Sequence, residues 1–407
     1  MFRRRWAVLG IALSAGVALS CSSREHPPSF VAPAQTAAGS GSGGGGGGGD
    51  GTGGLDLGDA SPVAAICGDQ QIPAVSDPPN LYFIVDRSGS MLDTLPGSPK
   101  SKYENARIAI SVMLRAVGHR VRYGAGIYPA LLNQDGCAPG SGLYPPKSPK
   151  LPAVVAGDSP KYAAMGENGP VLSGLLMVLG NTPPSIGAGT PTAATLREFE
   201  PSIVGFTGKK TYVVLMTDGA PNCNSGLRCG VDACIPNIEH QSAGDILCDD
   251  SFNCCSPQVG GDCVDADATE AAVLDYEKAG VDTFVVGMPG SEAYESMLNR
   301  LAIAGNTARP GNTAYYAVSD TSALSLALRS IGAQVAISCD LPLSETPENP
   351  DLVNVYFDDQ VVPKSDDDGW RYSEENSIEF VGPTCDRLSS GDVLNVQVVS
   401  GCPTVLR

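Results

Sequence analysis

The sequence predicts an α/β fold with a doubly wound, mainly parallel sheet, a cysteine-rich insertion and a small C-terminal β unit. Three observations predict this fold class. The apolar runs Leu81–Val85 and Tyr212–Met216 are typical of strands that are buried on both faces. Between such runs lie segments whose apolar residues have helical spacing, such as Tyr103–Val117. Near the C-terminus apolar and polar residues alternate instead, as in Val353–Phe357, which indicates a separate set of half-buried strands.

The remaining elements are predicted from the same patterns. Strands are also predicted, in chain order, at Val121–Tyr128, Leu151–Ala156 (an edge strand), Thr283–Val286 and Ala314–Val318, and within Ser377–Val381 and Val393–Val399. Helices are also predicted at Val171–Leu179, Thr192–Phe199, Thr269–Lys278 and Ser322–Val335, with a Gly- and Pro-rich loop at 129–150. Asp267 and Glu270 are predicted to form a capping box at the start of the third of these helices. Strands that alternate with helices imply a mainly parallel sheet covered on both faces.

The N-terminal segment has the pattern of an export signal. Three arginines precede an apolar run, Trp6–Leu19, that is too short to span a bilayer comfortably and is typical of a signal peptide, predicted at residues 1–21. The run ends at Ala18-Leu19-Ser20-Cys21, which resembles the lipobox of bacterial lipoproteins and predicts lipidation of Cys21. Ala18 and Ser20 also suit an ordinary signal peptidase. If Cys21 carries the lipid, the other twelve of the thirteen cysteines can all form disulfides.

The composition of the chain predicts four segments. Residues 22–78 follow the signal peptide as a flexible Gly/Pro/Ser-rich tether, which is mostly glycine over 39–54. The main domain is predicted at 79–335, with the cysteine-rich insertion at 222–266, and the disulfide-stapled β unit at 336–407. A lipid on Cys21 is then the membrane anchor. The residue after Cys21 is Ser22 and not the aspartate that retains lipoproteins in the inner membrane. This favours the outer membrane or cell surface, with the periplasmic side as the alternative.

The charge and the cysteines limit the kinds of partner. The net charge of −18 argues against nucleic acid, because phosphate binding requires a basic surface. The acidic surface is equally consistent with solubility alone. Seven cysteines lie between Cys223 and Cys263. With an export signal present, disulfides are expected there; zinc is the rival, but the spacing forms no pair of CxxC knuckles.

Oxygen-bearing side chains follow two of the predicted buried strands. Asp86, Ser88 and Ser90 occupy alternate positions after the first strand, and Asp218 follows the strand at Tyr212–Met216. The carboxyl ends of strands in an open α/β sheet form its ligand-binding edge. Thr190, which lies on a third loop, adds a further hydroxyl. Few carboxylates, several hydroxyls and room for water suit Mg²⁺ or Mn²⁺.

These three elements, in their order and spacing, resemble the metal-ion-dependent adhesion site of von Willebrand factor type A domains. They are Asp86-x-Ser88-x-Ser90, Thr190-x-Thr192 and Thr217-Asp218-Gly219. The resemblance covers roughly residues 79–335 and implies a Rossmann-like sheet. It further implies that Asp86, Ser88, Ser90, Thr190 and Asp218 coordinate the metal, some of them through water, and that an acidic residue of a partner fills the open position. The alternative is a set of turn and cap residues that binds no metal.

The insertion departs from that family and is expected to frame the binding face. Its seven cysteines are an odd number, and Cys137 is the nearest candidate for an eighth. Cys254 and Cys255 are not expected to bond each other. Four further cysteines are then expected to pair among themselves and staple the C-terminal unit to the base of the main domain: Cys67, Cys339, Cys385 and Cys402.

The sequence favours a binding protein over an enzyme. Its three histidines, His26, His119 and His240, are isolated, and GxSxG, HExxH and P-loop motifs are absent from it. We therefore expect an envelope-anchored module that grips an Asp or Glu carboxylate of a protein partner through Mg²⁺ or Mn²⁺. A structural scaffold, in which the metal only stabilises the fold, is the alternative, and a hydrolase comes third. Asp366–Asp368 is expected to be a solvated turn rather than a calcium site.

Overall fold

The computed structural model describes residues 70–71, 78–130, 136–208, 210–256, 259–336, 339–358, 360–374, 376–389, 393 and 396–406. These residues belong to one compact unit. The predicted signal peptide with Cys21, most of the predicted tether, and Cys67 lie outside the described residues. Within them, no helix has the length and apolar character needed to cross a bilayer.

The helices and strands of the described residues are numbered here in chain order. The helices are α1 (Lys102–Val117), α2 (Pro160–Ala164), α3 (Pro170–Gly180), α4 (Thr192–Val204), α5 (Ile235–Ile238), α6 (Ala266–Lys278), α7 (Glu295–Ala304), α8 (Thr321–Ala336) and α9 (Pro383–Ser389). The strands are β1 (Gln70–Gln71), β2 (Asn80–Asp86), β3 (Arg122–Tyr128), β4 (Ser141–Tyr144), β5 (Val155–Ala156), β6 (Thr211–Thr217), β7 (Ser242–Ala243), β8 (Ile246–Leu247), β9 (Val281–Gly287), β10 (Tyr316–Ala317), β11 (Asp340–Pro342), β12 (Val353–Phe357), β13 (Gln360–Val362), β14 (Gly369–Glu374), β15 (Ser377–Val381) and β16 (Val396–Ser400).

The main sheet has the strand order β10-β9-β6-β2-β3-β4, with β5 also paired to β3. Strands β10, β9, β6, β2 and β3 are parallel, whereas β4 and β5 run antiparallel to β3. From β2 the chain passes through α1 to β3 on one side, and later crosses to β6 on the other side. The connections therefore diverge between β2 and β6, which is the arrangement of a doubly wound sheet.

Two hydrophobic layers cover the sheet because successive strand residues point to opposite faces. Phe83 of β2 packs in the layer formed with α1, α3 and α8, and its neighbour Tyr82 packs in the layer formed with α4, α6 and α7. All seven residues of β2 are buried. The continuous apolar run of this strand thus follows from burial on both faces, and the predicted fold class is confirmed.

The C-terminal residues form a separate small core. Two antiparallel sheets, β1-β16-β12-β13 and β11-β15-β14, contribute to it. Fully buried Trp370 lies in this core with Phe357 and Phe380, and its indole N–H donates to the carbonyl of Val362 at 3.0 Å. The predicted β unit is therefore present, stapled internally by the Cys339–Cys385 disulfide.

Several details of the elements differ from the sequence-based expectation. The predicted loop at 129–150 contains β4, where Gly142 lets the backbone of Leu151 approach too closely for any side chain. Helix α7 was not predicted, although Met297, Leu298 and Leu301 have helical spacing. Helix α4 continues past the predicted end at Phe199.

The predicted capping box of α6 is wrong. The helix begins one turn earlier than predicted, after Asp265, whose side chain does not cap it. Asp267 and Glu270 instead pair with Arg300 of α7. The acidic pair was correctly located at the helix start, but a cation on a neighbouring helix determines its role.

Candidate functional site

The predicted ligand residues meet at the carboxyl edge of the main sheet. Asp86 is the last residue of β2, and Asp218 directly follows β6, its parallel neighbour. This is the position where the connections of the doubly wound sheet diverge, and such a crevice is the usual ligand site of the architecture. Both side chains are nearly inaccessible to solvent.

The loop after β2 is held by hydrogen bonds to the Asp86 carboxylate. The Ser88 backbone N–H donates to Asp86 Oδ1 at 2.7 Å, and Thr217 Oγ1 donates to Asp86 Oδ2 at 2.7 Å. The chain then forms a 3-10 turn, Gly89–Leu92, which brings the hydroxyls of Ser88 and Ser90 to 3.2 Å from each other. The alternate spacing of the acid and the two serines therefore places three oxygen-bearing groups in one turn.

Asp218 contacts both this turn and a buried lysine. Ser90 Oγ donates to Asp218 Oδ1 at 2.8 Å, and Lys102 Nζ donates to Asp218 Oδ2 at 2.8 Å. Lys102 is the first residue of α1, and Ser101 and Glu104 form a capping box at that helix start. Lys102 is not among the site residues predicted from the sequence. A signal for it existed, because a lysine at the first position of a helix opposes the helix dipole.

Thr190 lies on a loop that contacts the turn. The backbone N–H of Gly89 donates to the carbonyl of Ala188 at 3.1 Å, and Thr190 itself is buried. Asn222 fixes its backbone from the other side: Thr190 N–H donates to Asn222 Oδ1 at 2.6 Å, and Asn222 N–H donates to the Thr190 carbonyl at 2.9 Å. The structure thus brings Asp86, Ser88, Ser90 and Asp218 into one connected network, with Thr190 on the adjoining loop.

The cysteine-rich insertion begins at this edge of the sheet. Cys137 bonds to the insertion, as expected, and its partner is Cys223, whose Sγ a side chain at Gly189 would overlap. The other insertion disulfides are Cys229–Cys263, Cys234–Cys255 and Cys248–Cys254. Adjacent Cys254 and Cys255 therefore bond elsewhere, as expected, and the cluster is a disulfide core rather than a zinc site. Because the insertion is joined to the Thr190 loop, it frames the site.

The electrostatics of the two acids suit a bound cation. Burial, together with the nearby charge of Asp218, raises the pKa of Asp86 to about 7. Burial also raises the pKa of Asp218, although Lys102 opposes this shift. Two ionised carboxylates beside one ammonium leave one negative charge uncompensated in a buried place, which is costly. A divalent cation with hard oxygen donors supplies the missing charge, so the residues fit Mg²⁺ or Mn²⁺.

Apolar side chains border the site on its exposed side. Ile186 is 90% exposed, in the segment 185–187 that packs on Gly89 of the 3-10 turn. Leu92, at the end of that turn, is 41% exposed. Isolated apolar residues on a surface are ordinary, and these two are exposed beside the crevice.

The two histidines among the described residues lie on elements other than the loops of this crevice. His119 follows α1 at the opposite end from Lys102, and His240 follows α5 within the insertion. His26 lies outside the described residues. The acidic run Asp366–Asp368 forms a turn in which Ser365 Oγ accepts two backbone N–H groups, while Asp368 caps α9 by accepting from Thr384.

No protein-family model matches the chain, and no curated protein is similar to it. Solved structures that resemble it include the pilus adhesin SpaC from Lactobacillus rhamnosus GG (15% identity, TM-score 0.42, 81% of this chain and 39% of that chain). They also include the PilB minor pilin from Streptococcus sanguinis (16%, 0.38, 66% and 62%) and the vWF domain of the type V pili tip protein Mfa5 from Porphyromonas gingivalis (13%, 0.39, 64% and 95%). The chain thus spans less than two thirds of SpaC and of PilB. These TM-scores are low, so the fold assignment rests on the strand order of the sheet and not on the similar structures.

Proposed function

We propose that this protein is a divalent-metal-dependent binding module of the adhesion type, in which Mg²⁺ or Mn²⁺ bridges the site to an Asp or Glu carboxylate of a protein partner. The observation that carries the proposal is the buried network of Asp86, Ser88, Ser90 and Asp218 at the crevice of the sheet. Thr190, on the adjoining loop, completes the proposed ligand set.

The charge of the chain explains why a metal is needed for such a partner. The protein carries a net charge of −18, so it repels an acidic group at long range. A divalent cation held by two buried acids reverses the sign of the potential at one point. The exposed Ile186 beside that point offers an apolar contact for residues that flank the partner's carboxylate. The proposed ligand is therefore an exposed Asp or Glu with an apolar neighbour.

The metal site is tested by calorimetric titration with Mg²⁺ and with Mn²⁺. We expect one binding site in the wild-type protein and none in Asp86→Ala or Asp218→Ala. Asp367→Ala, which removes an exposed acid from the C-terminal turn, is the matched control and should bind like wild type. Titration of well-folded wild-type protein without heat of binding at either metal refutes the metal proposal.

The partner class is tested with immobilised peptides that each carry one Asp or Glu, compared with peptides carrying Asn or Gln at that position. Binding to the acidic peptides in Mg²⁺, lost in EDTA and in Asp86→Ala, supports adhesion. Circular dichroism of the variant must show an intact fold.

A scaffold role is the second candidate, and one observation favours it. Asp86 and Asp218 are buried, and Lys102 offsets only one of their two charges, so a metal ion bound there can serve stability alone. If Asp86→Ala unfolds the protein, or changes no interaction while EDTA lowers the melting temperature, the scaffold role replaces the adhesion proposal.

We further propose that the module is exported and anchored to the bacterial envelope by a lipid on Cys21. The basic and apolar start of the chain and the glycine-rich segment at 39–54 support this proposal. Replacement of Cys21 by Ser should move the protein from the membrane fraction to the soluble fraction and abolish incorporation of labelled fatty acid. Unchanged fractionation of Cys21→Ser contradicts the lipid anchor.

A further inference from the structure

The ion pair between Lys102 and Asp218 places a fixed cation inside the proposed metal site. Lys102 Nζ lies 2.8 Å from Asp218 Oδ2, and the two side chains are 8% and 0% exposed. The other oxygen of the same carboxylate accepts from Ser90 Oγ. A metal ion that binds Asp218 directly must therefore share this carboxylate with both partners or displace one of them.

The fold holds Lys102 firmly in this position. The Ser101–Glu104 capping box fixes the start of α1, and the Lys102 backbone N–H donates to the Asp93 carbonyl at 2.8 Å. Gly290 faces the ammonium from the loop after β9, and a Cβ there would lie 3.3 Å from Lys102 Nζ. With a φ of +110°, this position also favours glycine by its backbone conformation. Elements from both sides of the crevice thus accommodate the lysine.

A second acid lies within reach of the ammonium. Asp93 Oδ2 is 3.8 Å from Lys102 Nζ, and its side chain is 72% exposed. Lys102 therefore has a solvated carboxylate to pair with when its contact to Asp218 is lost. The contact to Asp218 can be given up without leaving the ammonium buried and unpaired.

We infer that Lys102 is a built-in counter-ion of the proposed site, which lowers its affinity for divalent cations and stabilises the metal-free protein. The inference rests on the metal site proposed above. Without Lys102 the two ionised acids carry a charge of −2, and with it the set carries −1. A divalent cation in this site is therefore repelled by the ammonium of Lys102, and because the site is buried, solvent screens this repulsion poorly.

The test compares the Mg²⁺ and Mn²⁺ affinities of wild type, Lys102→Gln, Lys102→Met and Lys102→Arg by calorimetry. The two neutral variants should bind at least about tenfold more tightly, whereas Lys102→Arg, which keeps the charge, should remain nearer to wild type. The second readout is the melting temperature in EDTA and in Mg²⁺. The neutral variants should melt lower than wild type in EDTA and gain more from Mg²⁺.

The matched control is Lys210→Met, which removes a half-buried lysine paired with Asp282 at the opposite edge of the sheet. It should leave the metal affinity unchanged. Unchanged or weaker metal binding by folded Lys102→Gln, beside measurable binding by wild type, overturns the inference and leaves the proposed site standing. Binding by neither protein overturns both.

Discussion

His119 lies directly after α1, where its imidazole has a cationic neighbour. Arg120 Nε donates to His119 Nε2 at 3.2 Å, so that nitrogen must be unprotonated. Arg120 also donates to the carbonyl of Val393 in the C-terminal unit, at 3.1 Å. Burial, and then the charge of Arg120, lower the pKa of His119 below its usual value. His119 is therefore linked through Arg120 to the C-terminal unit.

We expect His119 to reduce stability in mild acid. Because its pKa is lower in the folded than in the unfolded protein, the unfolded state binds more protons below about pH 6.5. Stability is then fully present above that pH and is lost as the pH falls towards the lowered folded pKa. Urea unfolding at pH 7.5, 6 and 5 should show a larger loss for wild type than for His119→Gln. Identical pH profiles of the two proteins contradict this role.

Among the site residues, the sequence pattern located the acids but not their counter-ion. Asp86, Ser88 and Ser90 lie within five consecutive residues, so their proximity is a local property of one turn. Lys102 and Asp218 are 116 positions apart, and only the packing of α1 against the crevice brings them together. The proximity of Asp86, Ser88 and Ser90 was therefore predictable, whereas the charge balance of the site was not.

At the scale of elements, the insertion depends on disulfides more than on apolar packing. Its own core consists of Cys234, Cys255 and Cys263, with smaller contributions from neighbouring residues. The Cys137–Cys223 disulfide joins the insertion to the loop after β3, on the side of Thr190. A segment with so little apolar burial needs covalent cross-links to stay ordered.

Replacement of Cys137 and Cys223 by Ser should loosen the insertion while the main sheet remains folded. A disulfide across a loop this long typically contributes about 2–4 kcal/mol. We expect limited proteolysis to cut the variant within 222–266 and metal affinity to fall, because Asn222 fixes the Thr190 backbone. The double replacement Cys339→Ser/Cys385→Ser is the control and should leave the insertion resistant. Equal resistance of both variants argues against this anchoring role.

The predicted elements that matched the structure share a physical property. Strands β2, β6 and β9 are largely buried on both faces, so each contains a continuous apolar run that is easy to locate. Strand β4 contains small residues that permit close backbone approach, so its sequence lacks this signal. Local composition thus predicts the central strands and misses the edge strand β4, although the predicted edge strand at Leu151–Ala156 is present as the shorter β5.

At the scale of the molecule, the C-terminal unit has its own core and its own reporter. The chain contains two tryptophans, Trp6 in the predicted signal peptide and Trp370 in the C-terminal core. After removal of a signal peptide, tryptophan fluorescence reports on the C-terminal unit, whereas circular dichroism reports mainly on the helices of the main domain.

We expect the two probes to give different unfolding midpoints in urea, because the C-terminal core is small and separate from the layers on the main sheet. Reduction of Cys339–Cys385 should lower the fluorescence midpoint and leave the dichroism midpoint nearly unchanged. Coincident midpoints that shift together would show one cooperative unit and contradict the predicted boundary at residue 336.

The sequence by itself determined the fold class and the positions of the central strands, because both depend on apolar runs, and it placed Asp86, Ser88 and Ser90 in one turn because they are close in the chain. Tertiary structure alone decided which cysteines pair, how the insertion frames Thr190, and that Lys102 neutralises Asp218. These features depend on contacts between residues tens of positions apart. Such contacts are fixed by the packing of α1, the sheet and the insertion, which leaves little trace in local sequence patterns.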